Sequence, residues 1–218
     1  MITRSEENYL KAIFSVHMQT KKNVSTNDIA NLLDTSPASV TEMIKKLQEK
    51  KLVIYEKYNG VKLSSTGENN AIKTIRKHRL WETFLVNKLD FSWSEVHDVA
   101  EQLEHIKSNK LTDKLDHFLN YPKFDPHGDP IPTKNGVFNF QERISIFEMD
   151  INEKGIIMGV SLDNKDFLDH LTKLKISIGT RVRVLEQIKF DQSMKITYDS
   201  TTEHISKEIA ENILIKIN

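Results

Sequence analysis

Four of the chain's five prolines fall in one stretch, Tyr121-Pro122-Lys123-Phe124-Asp125-Pro126-His127-Gly128-Asp129-Pro130-Ile131-Pro132. Proline fixes φ and removes a backbone donor, so a segment this dense in it can be neither helix interior nor central strand. A stiff loop presenting Asp125 and His127 at fixed geometry is expected there. On its N-terminal side the apolar residues recur with helical period, and on its C-terminal side with the short β-prone runs of strands. The expected fold is mainly α with a small β domain.

Tyr9, Leu10, Ile13, Phe14 and Val16 make an amphipathic first helix from Ser5 to about Met18. Ser25 and Thr26 offer N-caps to a short helix reaching Leu33, with Ile29, Ala30, Leu32 and Leu33 inward. Asp34-Thr35-Ser36-Pro37 then turns into a helix to about Lys50 that buries Val40, Met43, Ile44 and Leu47, because proline is tolerated in a first helical turn. Asn59-Gly60 lies between the β-prone runs Leu52–Tyr58 and Val61–Leu63, a strong hairpin signal. Helix-turn-helix plus hairpin is a winged helix. Its second helix is expected in a major groove, with Thr26, Ser36, Pro37, Ala38, Ser39, Thr41 and Lys45 at the DNA, and Lys57, Tyr58 and Lys62 of the wing at phosphates. Charge agrees: the formal net charge is zero, yet residues 1–79 hold 14 Lys/Arg against 8 Asp/Glu. A solvated basic surface on a packing module is the bland alternative.

Between the wing and the proline loop, helical patterns run from Thr66-Gly67-Glu68 to about Leu89, from Ser92 or Ser94 to about Lys107, and from about Ser108 to Asn120. They carry His78 and Glu82 at i, i+4, then His97, Glu101, Glu104 and His105 at i, i+4, i+7 and i+8. At about 100° per residue the last four fall on one helix face. Two imidazoles and two carboxylates so placed can share a divalent ion, although any one histidine alone is more simply a hydrogen-bonded structural residue. The chain has no cysteine, which removes disulfide, zinc-finger and redox-thiol chemistry and leaves a site of nitrogen and oxygen only. Trp81, Phe84, Val96, Val99, Leu103 and Ile106 offer apolar surface for a helical dimer interface.

After about Arg143, Ile144–Phe147, Gly155–Val160, Arg181–Leu185 and Lys195–Tyr198 read as strands, with a helix from about Lys165 to Leu174. A small SH3-like β-barrel is expected. The expected domains are residues 1–66, winged helix-turn-helix; 67–142, helical metal-binding and dimerisation; and 143–218, SH3-like. No apolar run approaches the roughly 20 residues of a membrane span, and Met1–Glu7 opens no signal-peptide core. A cytoplasmic protein without a membrane partner is expected.

Arg76-Lys77-His78-Arg79-Leu80 with Glu82, Val96-His97-Asp98 with Glu101 and Glu104-His105, and the His127-Gly128-Asp129-Pro130-Ile131-Pro132 run together resemble the diphtheria-toxin-repressor family of iron- and manganese-dependent regulators, across essentially the whole chain. The resemblance implies a dimer that represses from operator DNA when metal-loaded, with two ions per subunit and ligands donated by the third domain. It implies one site from Glu82, Asp125, His127 and Asp163 or Asp166, with His78 or His97 close by. A second comes from Glu101, Glu104 and His105, completed by the Asn8 amide oxygen. Where iron-responsive members carry Met and Cys, this chain has Asn8 and Glu101, which favours manganese over iron or another transition metal. Where compact manganese members carry two carboxylates, it has Asn8 and Lys11. Metal-uptake genes are the implied targets.

Two other functional classes could use such residues. A metallohydrolase needs an open coordination position and an activating base, and the sequence has no nucleophile elbow, phosphate loop or His-Glu-x-x-His helix, so an enzyme is not expected. A winged-helix regulator that answers an organic ligand or a partner protein, with the His/Glu set structural, stays open; metal titration separates it.

Overall fold

A computed structural model of the chain describes residues 2–56 and 59–217. Its helices include α1 (Arg4–Thr20), α2 (Thr26–Leu32) and α3 (Pro37–Glu49), followed by β1 (Val53–Glu56) and β2 (Gly60–Leu63). Then come α4 (Ser65–Leu89), α5 (Val96–Leu103) and α6 (Asn109–Phe118). The chain separates into two compact units, one of Met1–His78, Glu101–Thr112 and Pro132–Phe138, the other of Arg79–Ala100, Asp113–Ile131 and Asn139–Asn218.

In the first unit, local chemistry starts each helix where the sequence predicts. Thr3 and Glu6 form a reciprocal capping box on α1, Ser25 and Asp28 another on α2, and Ser36 caps α3 with Pro37 in its first turn. Leu10, Ile13, Ile29, Val40, Ile44 and Leu47 meet in one fully buried core, with Phe14 stacked on Phe138 at 5.7 Å. β1 and β2 pair antiparallel from Val53 opposite Leu63 to Glu56 opposite Gly60, and Val24 exchanges both backbone hydrogen bonds with Val61. This is the winged helix-turn-helix. Gly60 sits at φ +87°, where a Cβ would lie 2.7 Å from the Val24 carbonyl oxygen, so only glycine fits the turn. Removing the α3 cap by Ser36→Ala should cost about 1 kcal/mol in urea unfolding.

In the second unit, Leu80, Leu115 and Ile131 form a small core under Trp81, Phe84 and Leu119. Its larger part is a six-stranded antiparallel sheet in the order β3-β8-β4-β5-β6-β7, with β3 (Ile144–Ser145), β4 (Lys154–Val160), β5 (Arg181–Gln187), β6 (Met194–Tyr198), β7 (Thr201–Ile205) and β8 (Ile213–Ile217). Alternate residues such as Val182 and Val184, or Met194 and Ile196, turn inward onto Leu168 and Leu171 of α7 (Lys165–Lys173). The SH3-like expectation is met, but four of its pieces differ. Ile146–Glu148 is a 3-10 turn capped by Ser145 and Glu148, so the first strand is only two residues long. β7, a short helix α8 (Lys207–Asn212) and β8 are additional to the elements expected from the sequence. β8 nevertheless pairs both β3 and β4.

Candidate metal centre

Glu82 lies in the second half of α4, where helical periodicity turns it inward with Leu85, and it is 2% exposed. The proline loop delivers Asp125 and His127, which are also buried, and one ligand-type atom from each of the three lies within 4.8 Å of the others. The loop holds them rigidly. Asp125 Oδ1 accepts the backbone N–H groups of His127 and Asp129, both at 2.9 Å. Arg79 donates to the Pro130 carbonyl and to Asp129, and approaches Asp125 Oδ2 at 3.4 Å. Gly128 sits at φ +88°, and a Cβ there would lie 2.0 Å from the Met158 carbonyl oxygen of β4. The His127 carbonyl accepts from Val160 N–H, and Arg143 donates to the Gly128 carbonyl.

His127 has a determined tautomer. Its Nε2 is 2.8 Å from the Trp93 carbonyl oxygen, which can only accept, so Nε2 carries a proton and, in the neutral ring that a metal needs, Nδ1 keeps the lone pair. That Nδ1 faces Glu82 Oε1 at 3.7 Å, beyond hydrogen-bond reach. A lone pair and a carboxylate oxygen thus look at one another across a gap in a buried site, the arrangement that a shared cation satisfies. His97 Nδ1 approaches the same Glu82 oxygen at 3.6 Å and Asp163 Oδ2 at 3.9 Å. Asp163 is exposed and stands just before Asn164, the N-cap of α7; Asp166 lies in the first turn of that helix, also exposed. Burial, with Glu82 and Asp129 nearby, pushes the Asp125 carboxyl up to about 7 against the pull of Arg79 and His127.

A second cluster lies in the first unit. Glu104 has no exposed surface, and its Oε2 receives Lys11 Nζ at 2.7 Å and His78 Nδ1 at 2.6 Å. Burial alone would raise this carboxyl, but those two partners hold it below the ordinary carboxylate value. His105 Nδ1 lies 2.6 Å from Glu7 Oε2, which fixes its proton there and leaves Nε2 aimed at Glu104 Oε1, 3.6 Å away. Asn8 Nδ2 donates to Glu101 Oε1 at 3.1 Å. Three buried atoms of this cluster, Asn8 Oδ1, Glu104 Oε1 and His105 Nε2, have no hydrogen-bond partner.

The shared face expected for His97, Glu101, Glu104 and His105 does not exist as such. α5 ends at Leu103, and Glu104 and His105 occupy a turn in which Ile106 N–H returns to the Leu103 carbonyl. His97 joins Glu82 and Asp163 in the second unit, whereas Glu101, Glu104 and His105 join Asn8 and Lys11 in the first. Sequence reasoning missed Glu7 and Arg79. Glu7 shares a face of α1 with Lys11 at i, i+4, a signal that was there to use. Arg79 stands in the Arg76–Leu80 run that carries the resemblance, but its partners lie fifty positions away, so spacing gave it no role.

Of the expected DNA contacts, Ser36, Pro37, Ala38, Ser39 and Lys45 are exposed at the start and on one side of α3, while Thr26 and Thr41 are half-buried. Ser36 Oγ bonds Ser39, and Thr41 Oγ1 donates to the Pro37 carbonyl, so α3 presents small polar groups already ordered by its own cap. Lys62 is exposed on the wing; Lys57 and Tyr58 lie outside the described residues. No helix among the described residues is long and apolar enough to cross a membrane.

Comparison with known proteins matches residues 1–61 to the N-terminal DNA-binding domain of iron-dependent repressors, residues 64–133 to their metal-binding and dimerisation domain, and residues 145–217 to the FeoA domain. An HTH-type transcriptional regulator MntR of Listeria monocytogenes serotype 4a is 32% identical over 133 residues, 61% of this chain and 91% of that protein. A probable metal transport system membrane protein of Chlamydia trachomatis serovar D is 43% identical over 72 residues, but these are 33% of this chain and only 16% of that protein. A solved manganese-dependent transcriptional repressor in complex with manganese superposes with a TM-score of 0.88 at 32% identity, over 98% of this chain and all of that one. The chain belongs to the diphtheria-toxin-repressor family of iron- and manganese-dependent regulators, in its manganese-responsive, FeoA-containing branch.

Proposed function

We propose that this protein is a manganese-dependent transcriptional repressor that binds operator DNA as a homodimer when metal-loaded, controls metal-uptake genes and acts in the cytoplasm. The observation that carries the reading is the buried set Glu82, Asp125 and His127, two carboxylates and an imidazole with its lone pair turned inward. A purely oxygen and nitrogen donor set suits Mn2+, and Fe2+ is the nearest competitor. His97 and Asp163 complete this site. A second ion lies among Asn8, Glu101, Glu104 and His105, the place of the three unpartnered buried atoms, which gives two ions per subunit. Domain limits of 1–66, 67–142 and 143–218 go with this reading, as does a dimer interface on the helical part, where Leu89 and Phe118 of the second unit are exposed apolar side chains, whereas Val96, expected at such an interface, is fully buried. Thr26, Ser36, Pro37, Ala38, Ser39, Thr41 and Lys45, with Lys57 and Tyr58 of the wing, meet the DNA.

Mechanistically, the protein's residues hold an ion that supplies positive charge to ligands otherwise left facing one another. Glu82 anchors it to α4, Asp125 and His127 to the loop, and Asp163 to the segment before α7. A near-complete switch needs the DNA-competent state to bind metal better by ~5.5 kcal/mol. Stripped protein should bind a palindromic operator weakly, and Mn2+ should tighten it at least about tenfold, ~1.4 kcal/mol. Equal affinity with and without metal, measured by fluorescence anisotropy, contradicts the reading and favours a regulator with a different effector.

Metal binding should also depend on pH. In the apo protein Asp125 keeps its proton up to about 7, whereas the unfolded chain releases it near 3.8. Apo stability therefore falls as pH rises between these values, while metal affinity rises, because the ion needs the carboxylate. Calorimetry in buffers of different ionisation enthalpy should show about one proton released per ion at pH 6. Release of none at that pH would count against Asp125 as a ligand.

A further inference from the structure

The two oxygens of Glu104 live in different surroundings. Oε2 is shared by an ammonium at 2.7 Å and an imidazole at 2.6 Å, and Lys11 Nζ and His78 Nδ1 are themselves 3.3 Å apart. Oε1 is buried, has no hydrogen-bond partner, and faces His105 Nε2. Lys11 rises from α1, whereas Glu104 follows α5, so this contact spans 93 positions of sequence and fastens α1 within its unit. A divalent ion must come to about 2.0–2.6 Å from a carboxylate oxygen. On the Oε2 side that place is taken by the lysine.

We infer that Lys11 is a tethered cation: its ammonium permanently fills one cation position of the Glu104 cluster, so that the cluster admits a single divalent ion, on the Oε1 side with His105 and Asn8. The inference rests on the reading of this cluster as metal-binding. Neighbouring charges agree with the arrangement. Among the described residues the carboxylates include Glu7, Glu101 and Glu104; besides Lys11 and the His78 imidazole on Glu104, the basic groups include Lys77, whose charge is desolvated but held by Glu7 and Glu104, and Lys107, bound to the Ile2 carbonyl. A second dication beside Glu104 would meet Lys11 at contact distance, with like-charge repulsion in a buried site. With the lysine in place, α1 stays fastened to Glu104 whether or not metal is present, and only the Oε1 half responds to it.

The test counts ions. Parent, Lys11→Glu, Lys11→Met and Lys11→Arg are stripped, reloaded with Mn2+, gel-filtered and analysed for metal per chain. Lys11→Glu removes the ammonium and supplies a carboxylate, so it should bind one ion more than the parent. Lys11→Arg should match the parent. Lys11→Met leaves the buried Glu104 short of a charge, so its apo form should melt lower by about 5 °C or more, and Mn2+ should restore more of its Tm than it adds to the parent. A folded Lys11→Glu with the parent's ion count overturns the inference, as does apo Lys11→Met melting with the parent. If Lys11→Glu does not fold, the melting comparison decides. The proposed function is judged separately, by the parent's own ion count: a parent that binds no Mn2+ refutes the metal reading, whereas the inference stands or falls on the differences between variants.

Discussion

His127→Ala should lower Mn2+ affinity at the Glu82 site by at least about 100-fold, ~2.7 kcal/mol, and reduce the ions bound per chain by one. His127 brings an inward lone pair whose tautomer is fixed by the Trp93 carbonyl. Alanine supplies no donor, and a water in its place would lack that orientation. The apo protein loses one side-chain hydrogen bond and a ring stacked against Trp93 at 6.3 Å, so its urea stability should fall by only about 1 kcal/mol. Operator affinity with saturating metal should drop towards the apo value. Asp163→Ala, at an exposed position, should weaken the same ion less, and the double variant should do no worse than His127→Ala, because groups serving one ion are not additive. A full complement of ions in His127→Ala, measured by calorimetry, would remove the site from the loop.

Gly128→Ala should be the most damaging single change in the second unit, on the order of 4 kcal/mol by urea denaturation. The added Cβ would stand 2.0 Å from the Met158 carbonyl oxygen and 2.5 Å from Gly159 Cα, at a φ of +88° that alanine already resists. Backbone opposes it on both counts, so no side chain can swing away. The strain falls between His127 and Asp129, whose backbone N–H groups hold Asp125, and metal affinity should be lost together with stability. Gly136→Ala is the control: φ is +81°, but the nearest neighbour of its Cβ is an Ile72 methyl at 3.5 Å. It should cost only the φ penalty, about 1 kcal/mol. Equal effects of the two substitutions would show that close packing against β4 is not what demands glycine at 128.

Much of this protein was legible in its sequence because the signals are local. Ser25 with Asp28, Ser36 with Pro37, and Asn59-Gly60 each act over four residues or fewer, and they set the starts of α2 and α3 and the wing between β1 and β2. The proline loop announced itself by composition, and the choice of Glu82, Asp125 and His127 as neighbours came from motif resemblance. The sequence was weaker where an element depends on distant partners. Ile213–Ile217 is apolar enough for a strand, yet it is preceded directly by a helical turn and takes its place only by pairing with β3 and β4. Helical spacing put His97, Glu101, Glu104 and His105 on one face, and α5 stopped at Leu103 instead.

The chain by itself therefore determined where helices begin, where the backbone must turn and which residue types can bind metal, since caps, glycines and prolines act on their immediate neighbours. Tertiary structure alone decided how those ligands are shared out. His97 went to Glu82 and Asp163, and Glu104 to Lys11 and His78, because burying a charge far from water is tolerable only beside a compensating group, and the groups that compensate come from other elements of the chain, the farthest being Lys11 on α1 for Glu104.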